Sequence, residues 1–398
     1  MTVQAAPSNE NRDAAGHPRA AFGTLSASEW CAVAVAVIVA SLPAVMPAMV
    51  GAMAAQPNVG TTGAGYLVST NMAGIFTGTL LRALVQSGTS AKRMIVAGLL
   101  VMMLGNLVTI SVTGLQALLA ARALSGLGEG FAAGFCFSLM AQSRRPANTF
   151  AFYTAGQGII GLIGMGFLPW LVSISDWRAF YVVLTIVALP ALFLAGPAAG
   201  DAMEEARQTS ASMITKAGWL GLGTIFLFFT GMALLWAFLQ RIGEYHGLGL
   251  AAVSAAMAST AIAGMAGSLT VALGGHRLSD RQSTFAGIVL VFASAIGLWG
   301  GSGAMFVFGA CALNFVWSFQ YPFLFRALAH TDPGKGAAVT PMATGIALAV
   351  GPALGGWIIG HAGIAVACLA FLAMTLGALV FRLLCGGPKP AQLMEQKL

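Results

Sequence analysis

Long apolar stretches recur along the whole chain, and they constrain its fold more than any other feature. A helix needs about 20 apolar residues to cross the hydrocarbon core of a bilayer. Hydrophobic residues make up 58% of the chain and charged residues only 8%, whereas a soluble domain has roughly a quarter of its residues charged. We therefore predict an all-α membrane protein. The twelve predicted helices, numbered in chain order, are 30–50, 61–83, 94–113, 116–140, 149–173, 179–198, 217–240, 249–273, 284–301, 304–325, 337–360 and 363–384.

A polar loop after the sixth predicted helix divides the chain into two halves of six helices. The segment GDAMEEARQTSASMITK holds the densest polar cluster in the sequence, and the other predicted loops are short. The predicted parts are a cytoplasmic tail (1–29), an N-terminal bundle (30–198), a central cytoplasmic loop (199–216), a C-terminal bundle (217–384) and a second cytoplasmic tail (385–398).

Lysine and arginine residues predict the orientation, because cytoplasmic loops carry an excess of them. With the N-terminus in the cytoplasm, sixteen of the 19 fall on the cytoplasmic side, only Arg178 and Arg241 fall outside, and Arg122 lies alone inside the membrane. The first 28 residues lack an apolar core followed by a cleavage site, so we predict a multi-pass protein of the cell inner membrane with both termini cytoplasmic. The sixteen are Arg12, Arg19, Arg82, Lys92, Arg93, Arg144, Arg145, Arg207, Lys216, Arg277, Arg281, Arg326, Lys335, Arg382, Lys389 and Lys397.

The remaining charge and cysteine patterns exclude several kinds of partner. The net charge is +7, but the basic residues form no patch interleaved with exposed aromatics, so nucleic acid is not expected. The five cysteines stand singly in apolar segments or at their ends, and no spacing suggests a metal site. We expect neither a metal nor a cofactor.

Two short motifs, together with the two six-helix halves, resemble the major facilitator superfamily of transporters. The fourth predicted helix carries the family's R-x-x-x-G-x-G-x-G pattern, and the loop before the ninth reads Leu278-Ser279-Asp280-Arg281, which is similar to the core of a family loop motif. The resemblance implies two pseudo-symmetric bundles, with helices 1, 4, 7 and 10 lining a central cavity. The motif residues are Arg122, Gly126, Gly128, Gly130, Asp280 and Arg281.

The chain also departs from the family pattern. The first copy of the loop motif is incomplete, because Arg82 stands where the family has an acid that helps to lock the halves together. The fifth helix lacks the G-P-x-x-G-G core typical of drug/proton antiporters. That core is found in the eleventh helix instead, beginning at Gly351 and Pro352, and says little about the direction of transport.

Other classes of membrane protein fit the sequence less well. An enzyme needs a catalytic constellation, and His276 with Asp280 matches the transporter loop better. A channel needs a polar filter or rings of charge, and no such repeat is present. We therefore expect a transporter and not an enzyme.

Glu129 and Arg122 are the candidate proton-coupling residues. Glu129 is the only acid within the predicted helices, about 20 Å along the fourth helix. Arg122 lies seven residues earlier, on nearly the same face. A charge at this depth costs at least about 2.5–3.5 kcal/mol, so both are expected to face the bundle interior. The alternatives are a purely structural Arg–Glu pair and a glutamate that binds a polar group of a helix. Arg122 itself has two further possible roles, which are binding an anionic substrate group and orienting the fourth helix against the first.

Polar and aromatic side chains on the other cavity helices form a candidate substrate surface. Amides in lipid are costly unless they pair or face water, so each one contacts either the substrate or a neighbouring helix. The candidates are Asn71, Tyr153, Gln157, Phe229, Trp236, Gln240, Asn314, Trp317, Ser318, Gln320 and Tyr321.

An aromatic, mostly neutral cavity with one acid and one base suits a small amphipathic or aromatic organic solute. We expect a monomer in the lipid bilayer that binds this solute and protons, with export by proton antiport slightly favoured. Proton-coupled uptake of an organic acid and passive facilitation remain alternatives.

Overall fold

The computed structural model describes residues 25–85, 89–143, 146–199, 214–300, 302–332 and 339–385. Most of the two predicted tails and most of the predicted central loop therefore lie outside the described residues. The same is true of eight basic residues that were used for the orientation, namely Arg12, Arg19, Arg144, Arg145, Arg207, Lys335, Lys389 and Lys397.

Helices make up nearly all of the described ranges, which contain no β-strand. We number them so that each number corresponds to one predicted helix. They are α1a (Ala27–Val39), α1b (Ser41–Ala54), α2 (Gly60–Ala83), α3 (Ala91–Ser111), α4 (Leu115–Ala141), α5 (Pro146–Ile174), α6 (Arg178–Ala199), α7a (Lys216–Trp236), α7b (Leu239–Tyr245), α8 (Leu250–Gly274), α9 (Asp280–Trp299) and α10 (Gly303–Thr331), followed by a last helical run, Thr340–Cys385.

The last run comprises two helices. Gly363, with φ 85° and ψ 173°, breaks it into α11 (340–362) and α12 (364–385). A positive φ of this kind favours glycine, which has no Cβ. The all-α membrane fold with twelve helices is thus confirmed. Within the described ranges, ten helical stretches are long and apolar enough to cross a membrane when α1a with α1b and α11 with α12 each count as one, and α2 is not among them.

The sequence did not predict that α1 and α7 are interrupted. Ala40 (φ −90°, ψ 27°) separates α1a from α1b, and Pro43 follows in the first turn of α1b. Because proline has no N–H and its ring clashes with the preceding turn, a straight helix through this region is disfavoured. In α7 the chain leaves the helix after Trp236 and resumes it at Leu239.

The two halves repeat one packing scheme, with each helix of the first half matched by the helix six numbers later. In the N-terminal half, α4 packs on α2 and α3, and α1 packs on α5 and α6. In the C-terminal half, α10 packs on α8 and α9, while α7 packs on α11 and α12. This repetition is the pseudo-symmetry that the sequence resemblance implied.

The glycines of α4 permit its close approach to two neighbouring helices. A Cβ at Gly126 or Gly130 would fall on the carbonyl oxygens of Asn71 and Ile75 in α2, and a Cβ at Gly128 would fall on the backbone of α3 at Met102. Glycine lets helix backbones approach closely in lipid. The alternating glycines therefore bring Asn71 of α2 against the face of α4 that carries both charges.

Small residues also bring the halves together. A Cβ at Gly65 of α2 would lie 2.5 Å from the carbonyl oxygen of Pro352 in α11. A Cβ at Gly51 of α1b would fall on the amide of Gln240 in α7b. The halves are therefore packed along α2–α11 and α1b–α7b, and α5 packs against α8 as a third contact.

Candidate functional site

Arg122 and Glu129 are both buried inside the protein, with 1% and 3% of their surfaces exposed. This fits the expectation that neither charge faces lipid. Among the described residues no ion pair joins them directly. Instead Asn71 of α2 lies between them. Its Oδ1 accepts from Arg122 Nε at 3.1 Å and from Nη2 at 2.7 Å, while its Nδ2 donates to Glu129 Oε2 at 3.3 Å.

The Arg122 guanidinium is also held by α3 and α6. Its Nη1 donates to Asn106 Oδ1 at 3.0 Å and to Thr109 Oγ1 at 3.4 Å. Its carbon Cζ lies 4.7 Å from the centre of the Tyr181 ring, a cation–π geometry that stabilises a desolvated cation. All three nitrogens that can donate therefore have acceptors in the N-terminal half.

Sequence reasoning missed the residues of α3 and α6 that hold Arg122. Asn106 and Thr109 lie three apart, which places them on one helix face, and Ser125 of α4 also donates to Asn106 at 3.0 Å. The signal was present, because an amide and a hydroxyl one turn apart inside an apolar helix require a partner.

Glu129 has one satisfied and one unsatisfied oxygen. Oε2 accepts from Asn71, whereas Oε1 is buried without a hydrogen-bond partner among the described residues. Leaving a buried acceptor unpaired costs about 1–3 kcal/mol, and more when the group is charged. The carboxyl is therefore suited to holding a proton or to contacting a small polar molecule.

A small cavity borders Glu129 and Arg122, with room for about one water molecule. It lies between α1, α3, α4 and α6, and its lining includes Val39 and Ser41, on either side of the α1 break, and Leu184. Every lining residue belongs to the N-terminal half. The two charges thus border a cavity within one bundle, whereas the sequence resemblance implied the cavity between the bundles.

An aromatic cluster occupies the matching region of the C-terminal half. The Phe229 ring packs edge-on against Trp317 at 5.8 Å and against Tyr321 at 5.5 Å, and Trp236 packs against Trp317 at 6.4 Å. Phe325, which the sequence analysis did not select, stacks on Tyr321 at 4.3 Å. Tyr321 keeps 43% of its surface exposed.

Tyr153 of α5 lies in the N-terminal half. Its hydroxyl is within electrostatic range of both Glu129 and Tyr321, and its ring packs edge-on against Phe137 at 5.1 Å. Four of the predicted surface residues, namely Phe229, Trp236, Trp317 and Tyr321, therefore lie in one cluster of the C-terminal half.

Three predicted amides join helices to one another. Gln157 donates to the Val37 carbonyl at 3.2 Å and thus fastens α5 to α1a. Asn314 donates to the Thr260 carbonyl at 2.7 Å, and Gln320 donates to the Ser283 carbonyl at 2.6 Å. These bonds fasten α10 to α8 and α9, which is the helix-packing alternative for amide side chains.

The last two predicted surface residues also contact helix neighbours. Ser318 faces α8, since a Cβ at Gly264 would lie 3.2 Å from its Oγ. Gln240 donates to Glu244 at 3.0 Å, and Glu244 forms an ion pair with Arg241 at 2.7 Å.

The predicted loop-motif acid, Asp280, binds two arginines. Its Oδ1 accepts from Arg326 of α10 at 2.8 Å and from Arg382 of α12 at 3.0 Å, whereas Arg281 beside it is exposed. The network joins the ends of three helices of the C-terminal half. In the first half Arg82 replaces the acid, and its Cζ lies 4.2 Å from the centre of the Phe135 ring.

Gly351 and Pro352 of α11 also have packing partners. A Cβ at Gly351 would lie 2.8 Å from the Thr230 carbonyl oxygen of α7, and the Pro352 carbonyl faces Gly65 as described above. Within the described ranges no three His, Cys, Asp or Glu side chains are grouped so as to hold a metal ion.

Comparison with known proteins identifies the fold. The family model described as Major Facilitator Superfamily matches residues 30–340. A bacterial homolog of the human lysosomal transporter Spinster, solved in an inward-facing and unoccupied conformation, matches 92% of this chain and 96% of its own at 16% identity, with a TM-score of 0.60. A D-xylose–proton symporter matches 89% of this chain and 96% of its own at 12% identity, with a TM-score of 0.64. No curated protein matches the sequence.

Proposed function

The chain belongs to the Major Facilitator Superfamily, and on that premise we propose that it is a proton-coupled secondary transporter of a small aromatic or amphipathic organic solute. Glu129 is the proposed proton site. The aromatic cluster of Phe229, Trp236, Trp317, Tyr321 and Phe325, together with Tyr153 of α5, is the proposed substrate surface.

The observation that carries the coupling proposal is the unpaired Oε1 of the buried Glu129. A carboxyl in a dry site is less costly when it is neutral or paired than when it is ionised. Opening the site to water on either side of the membrane changes that cost, so the carboxyl binds a proton in one state and releases it in the other. Proton movement is thereby tied to the conformational cycle.

The contacts of Arg122 favour a substrate that has no acidic group. Its Nε, Nη1 and Nη2 all donate to protein oxygens, and the residue is 1% exposed. A guanidinium that is buried and bound to protein oxygens in this way is not presented to a substrate carboxylate. The cluster is neutral and aromatic, and Tyr321 at its edge is exposed, which suits stacking with an apolar ring. We therefore place export of neutral or hydrophobic solutes by proton antiport ahead of organic-acid uptake.

Counterflow in proteoliposomes tests this proposal, using a panel of small aromatic solutes with and without a pH gradient. Wild-type protein is expected to move a solute against its gradient when a pH gradient is imposed. Glu129→Gln keeps the side-chain shape but cannot titrate, so it is expected to abolish gradient-driven movement and to retain solute exchange. If the Gln variant still drives accumulation, Glu129 is not the coupling site.

We further propose that both termini are cytoplasmic and that the protein lies in the cell inner membrane. The charge asymmetry of the sequence supports this orientation. Cysteines introduced at positions 208–212 are then expected to react with an impermeant thiol reagent only from the cytoplasmic side. Labelling from the outside alone contradicts the orientation.

A further inference from the structure

The side-chain amide of Asn71 can take only one orientation. A guanidinium has N–H donors and no acceptor, so the end of the amide that faces Arg122 must be the carbonyl oxygen. Both Arg122 Nε and Nη2 bind that oxygen. The amino end is therefore directed at Glu129, where Nδ2 lies 3.3 Å from Oε2.

The backbone around Asn71 is fixed as well. A Cβ at Gly126 would fall on the Asn71 carbonyl oxygen, so α2 and α4 are in backbone contact at this point. Asn71 itself is fully buried. Rotating the amide would turn its NH₂ group towards the guanidinium, placing donors against donors, and would turn its oxygen towards the carboxyl.

This fixed amide makes the two oxygens of Glu129 unequal. Oε2 receives a hydrogen bond from Asn71. When a carboxyl is protonated, the oxygen that accepts a hydrogen bond from an N–H is favoured as the carbonyl oxygen, and the other oxygen carries the proton. Oε1 has no partner among the described residues. The proton of the neutral acid therefore belongs on Oε1.

The cavity beside Glu129 provides the place for a proton donor. It has room for about one water molecule, and such a water needs two to four polar partners. Glu129 and Ser41 both line it, as does Val39, whose carbonyl has lost its usual helical donor because Pro43 lacks an N–H. A hydronium in the cavity gives its proton to Oε1 and becomes water, and the reverse step releases it.

The charged and titratable neighbours of Glu129 are few among the described residues. Arg122 lies on the same helix, Tyr153 of α5 is within electrostatic range, and Tyr181 of α6 lies over Arg122. The contacts of Glu129 with α2 come from the neutral Asn71. The amide is thus the one neutral group that connects Arg122 to the carboxyl.

We infer that Asn71 is a positioning residue for proton coupling: held by Arg122, it fixes Glu129 so that Oε2 accepts a hydrogen bond and Oε1 alone carries the proton. The importance for transport rests on the proposed function of Glu129. The orientation of the carboxyl can be measured independently of transport.

Infrared difference spectra between low and high pH test the inference on the purified full-length protein. The carbonyl stretch of protonated Glu129 is identified as the band that Glu129→Gln removes. A carbonyl that accepts a hydrogen bond absorbs at lower wavenumber than a free one. Asn71→Leu removes the donor at similar volume, so the Glu129 band is expected to move to higher wavenumber.

Asn106→Leu is the matched control. This variant also removes an amide that Arg122 binds. The native Asn106 amide does not bond to Glu129, so the Glu129 band is expected to stay in place. Asn71→Ala is a second variant that also removes the donor, so the same shift is expected, and it keeps the test available if the Leu variant does not fold. A band that stays in place in both Asn71 variants overturns the inference.

The spectra also separate this inference from the proposed function. If the band moves in Asn71→Leu while Glu129→Gln still couples transport to protons, the carboxyl is oriented as inferred and the coupling proposal fails. If no band depends on Glu129 at any pH, the carboxyl does not titrate, and both the inference and the coupling proposal fail.

Discussion

The indole Nε1 of Trp236 donates to the carbonyl oxygen of Pro43 across 3.4 Å, and this hydrogen bond joins the C-terminal half to the N-terminal half. Pro47 stands four residues after Pro43 and has no N–H, so the carbonyl lacks its usual helical donor. In the proposed orientation, the bond lies at the start of the outer half of α1. The packing of Gly51 on Gln240 is a second contact between the halves at this end of α1.

Replacing Trp236 by Phe is expected to loosen the contact between the halves at this end of α1. The variant keeps an aromatic ring in the cluster but loses the N–H, and a neutral hydrogen bond contributes about 1 kcal/mol. We expect a cysteine at position 240, in a background without the five native cysteines, to react about five-fold faster with an impermeant reagent added outside. Trp30→Phe is the control, because Trp30 packs on Phe152 within the N-terminal half. Equal labelling in both variants would falsify the role given to Trp236.

Asp280→Asn is expected to destabilise the C-terminal half. The substitution leaves Arg326 and Arg382 together without a counter-charge, and the Arg382 side chain is only 5% exposed. Breaking a buried ion pair on one side costs up to about 3–5 kcal/mol, reduced here by the partial exposure of Asp280. Thermal unfolding in detergent measures the effect. Asp176→Asn, in an exposed pair with Arg178, is expected to cost less than about 1 kcal/mol, and an equal loss in the two variants contradicts this assignment.

Gly130→Ala is expected to prevent correct packing of α2 on α4. The added methyl would fall on the Ile75 carbonyl oxygen, which is backbone and cannot move aside as a side chain can. The yield of monodisperse protein after extraction is expected to fall strongly. Gly166→Ala is the matched control, because a Cβ there has nothing within 4 Å. Normal yield from Gly130→Ala means that the helices tolerate a wider separation than the structure shows.

Trp317→Ala is expected to weaken solute binding. Trp317 contacts both Phe229 and Trp236, so its removal takes away the centre of the aromatic cluster. Stacking adds about 0.5–1.5 kcal/mol beyond the burial of the ring, and we expect KM for an aromatic solute to rise about ten-fold. Trp299→Ala, at an exposed position on α9, is expected to leave KM unchanged. If KM changes equally in both variants, or does not change in Trp317→Ala, the aromatic cluster is not part of the binding site.

Hydrophobic length and charge asymmetry were enough to predict the twelve spans. Their signals are local, since each span must match the bilayer thickness by itself. The breaks at Ala40 and after Trp236 were not predicted, although Pro43 and Pro47 marked the first. Proline is common in membrane helices, because neighbouring helices can satisfy the carbonyls that it frees, so the sequence does not distinguish a kink from an interruption.

The candidate site was predictable residue by residue but not as an arrangement. Glu129 and Arg122 were identified because a charge at membrane depth is costly wherever it lies. That Asn71 stands between them depends on the register of α2 against α4, which is set by the backbone contact at Gly126. The amides of Gln157, Asn314 and Gln320 show the same limit. From the sequence, each could bind either a substrate or a backbone carbonyl of a neighbouring helix, and in the structure each binds a carbonyl.

The acceptor at Pro43 has a consequence for mutational scanning of α1. The atom that receives the Trp236 hydrogen bond is a backbone oxygen, and every amino acid carries one. Substituting Pro43 itself therefore leaves the acceptor in place, and a side-chain scan along α1 will miss this contact at the residue that makes it. Pro47→Ala acts differently, because it returns an N–H that competes for the same oxygen. A residue that takes no part in this hydrogen bond thus controls whether the two halves share it.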